Sequence, residues 1–190
     1  MIVSRTILLA GVFLLAQGCA PVLKGPIGPE GLEAPSDSLD HGYSILMSLL
    51  EDEAKVDQLL AIKSASKETS EIITDISNTA ISGMAEIRAM ATKTPVINLE
   101  ATGFPIIEVD SRNRIANQQA ATLLLAGKTF ELKVLLTQDK AMGYAAALCE
   151  SLSIADGNSY RSKEMRALGD RFTALNASVL ARLITMTADK

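Results

Sequence analysis

Nucleophilic or metal-bound chemistry would depend on very few side chains in this sequence. It holds one histidine, His41, and two cysteines, Cys19 and Cys149. A zinc or haem centre is held by His or Cys ligands, and this sequence has few of them. The Glu-x-x-His, Gly-x-Ser-x-Gly, Gly-x-Gly-x-x-Gly and P-loop patterns are absent. We therefore predict no catalytic residue, no metal ligand and no cofactor, in a protein that is not an enzyme.

The other chemically capable groups are expected to serve the fold. His41 stands between Asp40 and Gly42 where a helix is expected to begin, which predicts an exposed or capping side chain. The carboxylates of Glu51–Glu53 are consecutive, and adjacent helical residues point about 100° apart, so we expect a solvated face and no shared ion. Cys149 lies in an apolar helical pattern and is expected to be a small buried hydrophobe.

Cys19 stands in a different context, directly after an apolar run. The run "TILLAGVFLLA" covers residues 6–16 and follows the single positive charge of Arg5. It is shorter than the roughly 20 residues that a transmembrane helix needs, and it matches a secretory h-region of about 7 to 15 residues. Residues 1–18 are therefore predicted to be a cleaved signal peptide.

The stretch "LLAQGC", residues 14–19, resembles the lipobox of bacterial lipoproteins. In that class the cysteine thiol receives a diacylglycerol, the signal peptide is cut before the cysteine, and the new amine is acylated. The resemblance implies that Cys19 is the first mature residue and the lipid anchor. Because Ala20, and not Asp, follows it, the resemblance also implies the outer membrane, facing the periplasm. An ordinary cleaved signal or an uncleaved membrane anchor are the alternatives.

Residues 19–37 are predicted to form a flexible, lipidated tether. Four prolines block helix formation there, and three glycines loosen the backbone. Such a semi-extended segment, at about 3 Å per residue, holds a domain up to roughly 50 Å from the membrane.

Residues 38–190 are predicted to be an all-α domain, an elongated bundle of three to four long helices. Residues 38–92 contain no proline, and their second half carries a coiled-coil-like stripe with steps of three and four residues. The members of this stripe are Ile73, Ile76, Ala80, Gly83, Ile87 and Met90. The stripe before it is out of phase across residues 63–71, so either a helical hairpin turns there or one long helix shifts its buried face. The hairpin is favoured.

The second half of the domain is predicted from its prolines and its turn residues. Residues 94–109 are predicted to form a crossover loop, which is either a functional loop or a strap that packs over one end of the bundle. The apolar residues of this segment are Val96, Ile97, Leu99, Phe104 and Ile106. Asp110 would cap a single helix running to about Ala155, some 60 Å long, and a final helix follows the turn at 155–159.

Charge is unevenly distributed along the chain, whose net charge is −4. Residues 38–92 hold nine acidic and four basic side chains, whereas residues 159–190 hold six basic and three acidic ones. The simplest interpretation is that the two regions face each other in one bundle, and the alternative is a basic face offered to a partner or to anionic lipid. No overall basic field exists to attract nucleic acid.

Two functions follow from these features. The first is an anchored periplasmic structural, adaptor or assembly protein, which binds another envelope protein or itself. The second is a bundle that holds a lipid or another apolar ligand between its helices, with small seam residues that either leave room or let helices approach closely. Those residues are Ala80, Gly83, Gly127 and Ala141.

Overall fold

The structure, a computed structural model, describes residues 36–101 and 106–188. This part of the chain is all-helical, which confirms the predicted class. It forms five α-helices, where three to four were predicted: α1 (Ser36–Glu53), α2 (Lys67–Ala91), α3 (Ile106–Leu124), α4 (Phe130–Ala155) and α5 (Ser159–Ala188). A short 3₁₀ helix, Val56–Ala61, follows α1. Cys19, the predicted signal peptide and the predicted tether as far as residue 35 lie outside the described residues, and residues 36–37 already belong to α1.

Helices α1 and α2 form a hairpin, and the chain turns before α2 begins at Lys67. This is the favoured alternative for residues 63–71. Ser66 has an extended backbone, and its Oγ accepts a hydrogen bond from the backbone N–H of Thr69 at 3.4 Å. This N-cap satisfies a donor that the first turn of α2 would leave unpaired. The two helices then pack against each other, and the Ser77 hydroxyl donates to the Ala54 carbonyl at 2.9 Å.

The predicted single helix over residues 111–155 is wrong, because the chain turns between α3 and α4. Gly127 lies in this turn. The turn lets both Leu123, near the end of α3, and Ala126 lie buried. The Lys63 ammonium donates to the Ala126 carbonyl at 3.2 Å, which satisfies a carbonyl that a continuous helix would have used.

The crossover segment is shorter than the predicted 94–109. Helix α3 already begins at Ile106, and Asp110 lies inside it and does not cap it. The Asp110 carboxylate instead accepts from Arg114 at 2.8 Å, one turn later. Ion pairs at this spacing support a helix by about 0.2–0.5 kcal/mol each.

The part of the crossover segment before residue 102 packs partly as the strap interpretation expected. Ile97 is buried and Leu99 packs against the core, whereas Val96 is 70% exposed. The segment is also tied down through its backbone. The N–H of Ile97 donates to the Ala91 carbonyl at 3.0 Å, and the N–H of Asn98 donates to the Asp40 carboxylate at 3.0 Å. Phe104 lies outside the described residues.

One apolar core joins the helices, with α4 and α5 as the most extensive pair. The acidic α2 packs on the basic α5, as predicted, whereas α1, the other helix of the acidic region, packs mainly on α2 and α4. Arg171 of α5 pairs with Glu86, and the Arg182 guanidinium lies 3.9 Å from the Glu68 carboxylate.

Candidate functional site

The largest fully buried side chain of the described residues is that of Arg161, in the first turn of α5. This residue is only 1% exposed. Nε donates to Oδ2 of Asp156 at 2.6 Å and Nη2 donates to Oδ1 at 2.9 Å, so the pair is bidentate. Nη1 donates to the Pro95 carbonyl at 2.6 Å. This geometry is that of a strong charge-assisted hydrogen-bond pair.

Asp156 is the hub of this buried cluster, which we define as Tyr43, Pro95, Asp156, Asn158 and Arg161. Besides Arg161, Asp156 accepts from the Tyr43 hydroxyl at 2.9 Å and from the Asn158 N–H at 2.9 Å. Burial raises the pKa of Asp156, but hydrogen bonds from Arg161, Asn158 and Tyr43 outweigh it, so this pKa lies below its ordinary value. Burial and the Asp156 carboxylate raise the pKa of Tyr43, which therefore remains a hydroxyl donor.

The buried cluster ties four segments of the chain together. Tyr43 comes from α1, Pro95 from the segment after α2, Asp156 from the end of α4 and Arg161 from α5. The side chain of Asn158 closes the α4–α5 turn by accepting from the N–H of Arg161 at 3.1 Å. All charges of the cluster are neutralised within it, so its evident work is to hold the helices in place.

A second polar cluster lies at the opposite end of α4 and α5, around Glu131. Its carboxylate accepts from the hydroxyls of Ser66 and Thr69, both at 2.8 Å, and from the Ser66 N–H at 2.9 Å. Arg182 lies 3.6 Å from the same carboxylate and donates to the Ser66 hydroxyl at 2.8 Å. Burial works against the charge of Glu131, but these hydrogen bonds and Arg182 outweigh it and lower its pKa. The beginning of α2 is thereby fixed to α4 and α5.

The predicted solvated face of Glu51–Glu53 is wrong for Glu53. Glu51 is exposed, whereas Glu53 ends α1 facing the core and is only 2% exposed. It hydrogen-bonds to the buried Gln138 of α4, while its Oε2 and the Gln138 Oε1 have no partner among the described residues. Burial raises the pKa of Glu53 to about 8, and the neighbouring Asp52 adds to the shift. Burial likewise raises the pKa of Asp52 to about 7.

Cys149 and His41 lie within the described part of the chain, and the fold surrounds both of them at least partly. Cys149 is fully buried, as predicted, and burial raises the pKa of its thiol to about 12, which leaves little nucleophilic thiolate. His41 lies within α1, which begins earlier than expected, and is half-buried. Cys19, the predicted lipidation site, is outside the described residues.

Small seam residues let helices approach closely at Gly83. A Cβ built there would lie 3.1 Å from Leu168 and 3.2 Å from Leu50. Ala80 and Ala141 are buried in the same core, whereas Gly127 lies in the open turn before α4. The idea of an apolar ligand between the helices stays a prediction.

The described surface carries clefts and no candidate metal cluster. Three clefts have volumes of about 490, 430 and 480 Å³. The first lies between α4 and α5 and is lined partly by Glu150, Arg166 and Asp170. Within residues 36–101 and 106–188, no three His, Cys, Asp or Glu side chains come together where they could hold a metal ion. None of the helices in these ranges has the length and apolar character to cross a membrane.

Removing the buried cation is expected to destabilise the fold strongly. R161M leaves the Asp156 carboxylate buried without its counter-ion, which costs about 3–5 kcal/mol of unfolding free energy in urea titrations. The matched control R88M removes an exposed ion pair with Glu51, 3.3 Å apart, and is expected to cost less than about 1 kcal/mol. Equal effects of the two substitutions would contradict the role of the cluster.

Glu53 is expected to make stability fall as pH rises. Its pKa is about 8 in the fold against 4.5 ordinarily, so the folded state binds the extra proton. The unfolding free energy therefore decreases between about pH 4.5 and pH 8. E53Q removes this contribution, and at pH 8 it is expected to be more stable than the wild type by roughly 2–4 kcal/mol in urea titrations. The exposed control E71Q should keep the wild-type slope; an E53Q slope equal to the wild type's would contradict the assignment.

Comparisons with protein-family models, with curated proteins and with solved structures find no match for this chain.

Proposed function

We propose that this chain is a lipid-anchored protein of the bacterial envelope that acts as a structural adaptor or assembly factor. The observation that carries the proposal is "LLAQGC" at residues 14–19, an apolar run ending in a small residue and a cysteine. Diacylglycerol on the thiol and an acyl chain on the amine would anchor Cys19 stably, because two or more chains bind a bilayer firmly where one binds marginally.

The anchored domain would stand away from the membrane. The Pro/Gly-rich residues after Cys19 form the proposed tether, which leads to the start of α1 at Ser36. Ala20 supports delivery to the outer membrane, on its periplasmic side, because an aspartate at that position would favour inner-membrane retention in the resembled class.

An adaptor role is supported by how the described domain uses its polar groups. The charges around Asp156 and those around Glu131 are bound to one another and to the backbone at opposite ends of α4 and α5. A domain fixed in this way presents the outer faces of its helices in constant positions. Its partners would be the membrane, through the lipid, and another envelope protein or a second copy, with no nucleic acid.

The anchor is tested by metabolic labelling with palmitate, using the two cysteines as a matched pair. We expect C19S to abolish labelling, because no thiol remains at the lipobox. The control C149A should keep it, since Cys149 is buried in the core. Wild-type protein should fractionate with the outer membrane. Labelling that survives C19S would contradict the anchor.

The adaptor role is tested by purification from membranes solubilised in mild detergent after crosslinking in intact cells. We expect an envelope protein, or a second copy of the chain, to be recovered in a fixed ratio, and mass spectrometry identifies it. A chain that is always recovered alone and monomeric would contradict the role, even if the lipid is present.

A further inference from the structure

An exposed stripe runs along α4 on the side turned away from the core. Its members follow one another at alternating steps of four and three residues, the spacing of a coiled-coil seam. They are Leu136, Lys140, Gly143, Ala147, Glu150 and Ile154, and we call them the outer seam of α4. All six are exposed, and the apolar ends Leu136 and Ile154 are 47% and 73% exposed.

Gly143, in the middle of the outer seam, is not explained by packing within the chain. The helical glycines Gly83 and Gly169 each have a side chain so close that an added Cβ would lie 3.1 Å from it. A Cβ at Gly143 would meet nothing within 4 Å. Glycine weakens a helix relative to alanine, so a glycine here has a cost without an internal benefit. A second surface approaching α4 closely would supply the benefit.

The order of side chains along the outer seam identifies that second surface. The sequence of types is the same in both directions once charge is inverted, with its centre at Ala145. Reversal places Leu136 opposite Ile154, Lys140 opposite Glu150, and Gly143 opposite Ala147. Each position therefore meets its complement: apolar with apolar, cation with anion, small with small. A helix of unrelated sequence would not require this internal symmetry, whereas an isologous two-fold interface does.

We infer that the outer seam of α4 is a self-association interface, in which two copies of the chain pair their α4 helices antiparallel about a two-fold axis near Ala145. The small residues at the centre allow close approach of the two helices, and the 3-4 spacing suits a shallow crossing angle of about 20°. Gly143, Ala147 and Glu150 of the outer seam also line the cleft between α4 and α5, and Arg166 and Asp170 of α5 add charges of both signs to that cleft. The inference goes beyond the proposed function and does not depend on Cys19.

The charge pair at the seam provides the test. Lys140 and Glu150 are exposed and ten residues, about 15 Å, apart along α4, so they do not pair within one chain. Sedimentation equilibrium of the full chain in mild detergent should show a dimer. K140E and E150K should each weaken it about tenfold or more, because like charges then face each other twice per dimer. The double variant K140E/E150K should return to within about threefold of the wild type.

Two further variants separate the interface from the fold. The control E71K makes the same change of charge on α2 and should leave dimerisation unchanged. G143L adds a side chain whose Cβ meets nothing within the chain, so its circular dichroism should resemble the wild type's while the dimer is lost. Its melting should match that of the wild type diluted until it is a monomer. A wild-type monomer throughout, a dimer insensitive to K140E and G143L, or no rescue in the double variant would overturn the inference. Recovery of a different envelope protein by a monomeric chain would leave the proposed adaptor role standing.

Discussion

The buried ion pair of Asp156 and Arg161 is the constraint on which the arrangement of the helices depends. A guanidinium removed from water must regain its hydrogen bonds inside the protein, or the desolvation cost is not recovered. Arg161 regains them from Asp156 and from the Pro95 carbonyl, and Asp156 in turn requires the Tyr43 hydroxyl. Tyr43 of α1 and the segment with Pro95, both distant in sequence, therefore have to meet at the α4–α5 turn.

A similar arrangement lies at the other end of α4 and α5. There the Glu131 carboxylate accepts hydrogen bonds from the hydroxyls at the start of α2 and lies close to the Arg182 guanidinium. Between these clusters the helices meet through aliphatic and small residues, and Gly83 brings α2 against Leu168 of α5. The ionisable groups of the two clusters thus hold the helices in place. The proposed function places binding on exposed helix faces and on the lipid anchor, away from these groups.

Sequence reasoning recovered the features that local periodicity and turn residues encode. The stripe of α2, the α4–α5 turn and the burial of Cys149 belong to this group. It missed the break between α3 and α4, because Gly127 alone does not end an apolar periodic pattern and the stabilising contact comes from Lys63, far away in sequence. It also missed Glu53 and the partners of Arg161, because side chains that look like surface charges become core groups only when tertiary packing turns them inward. In the sequence, the one indication of this cluster was that Asp156 and Asn158 lie five and three residues before Arg161, close enough to accept hydrogen bonds from it.

Residue-resolved amide hydrogen exchange of the wild-type protein measures whether the Arg161 cluster holds the segment after α2 against the helices. We expect that the amides of Ile97 and Asn98, which are hydrogen-bonded although they lie outside any helix, exchange as slowly as that of Phe172 in the centre of α5. Exchange of Ile97 and Asn98 at the rate of an unstructured peptide, with Phe172 still protected, would contradict it.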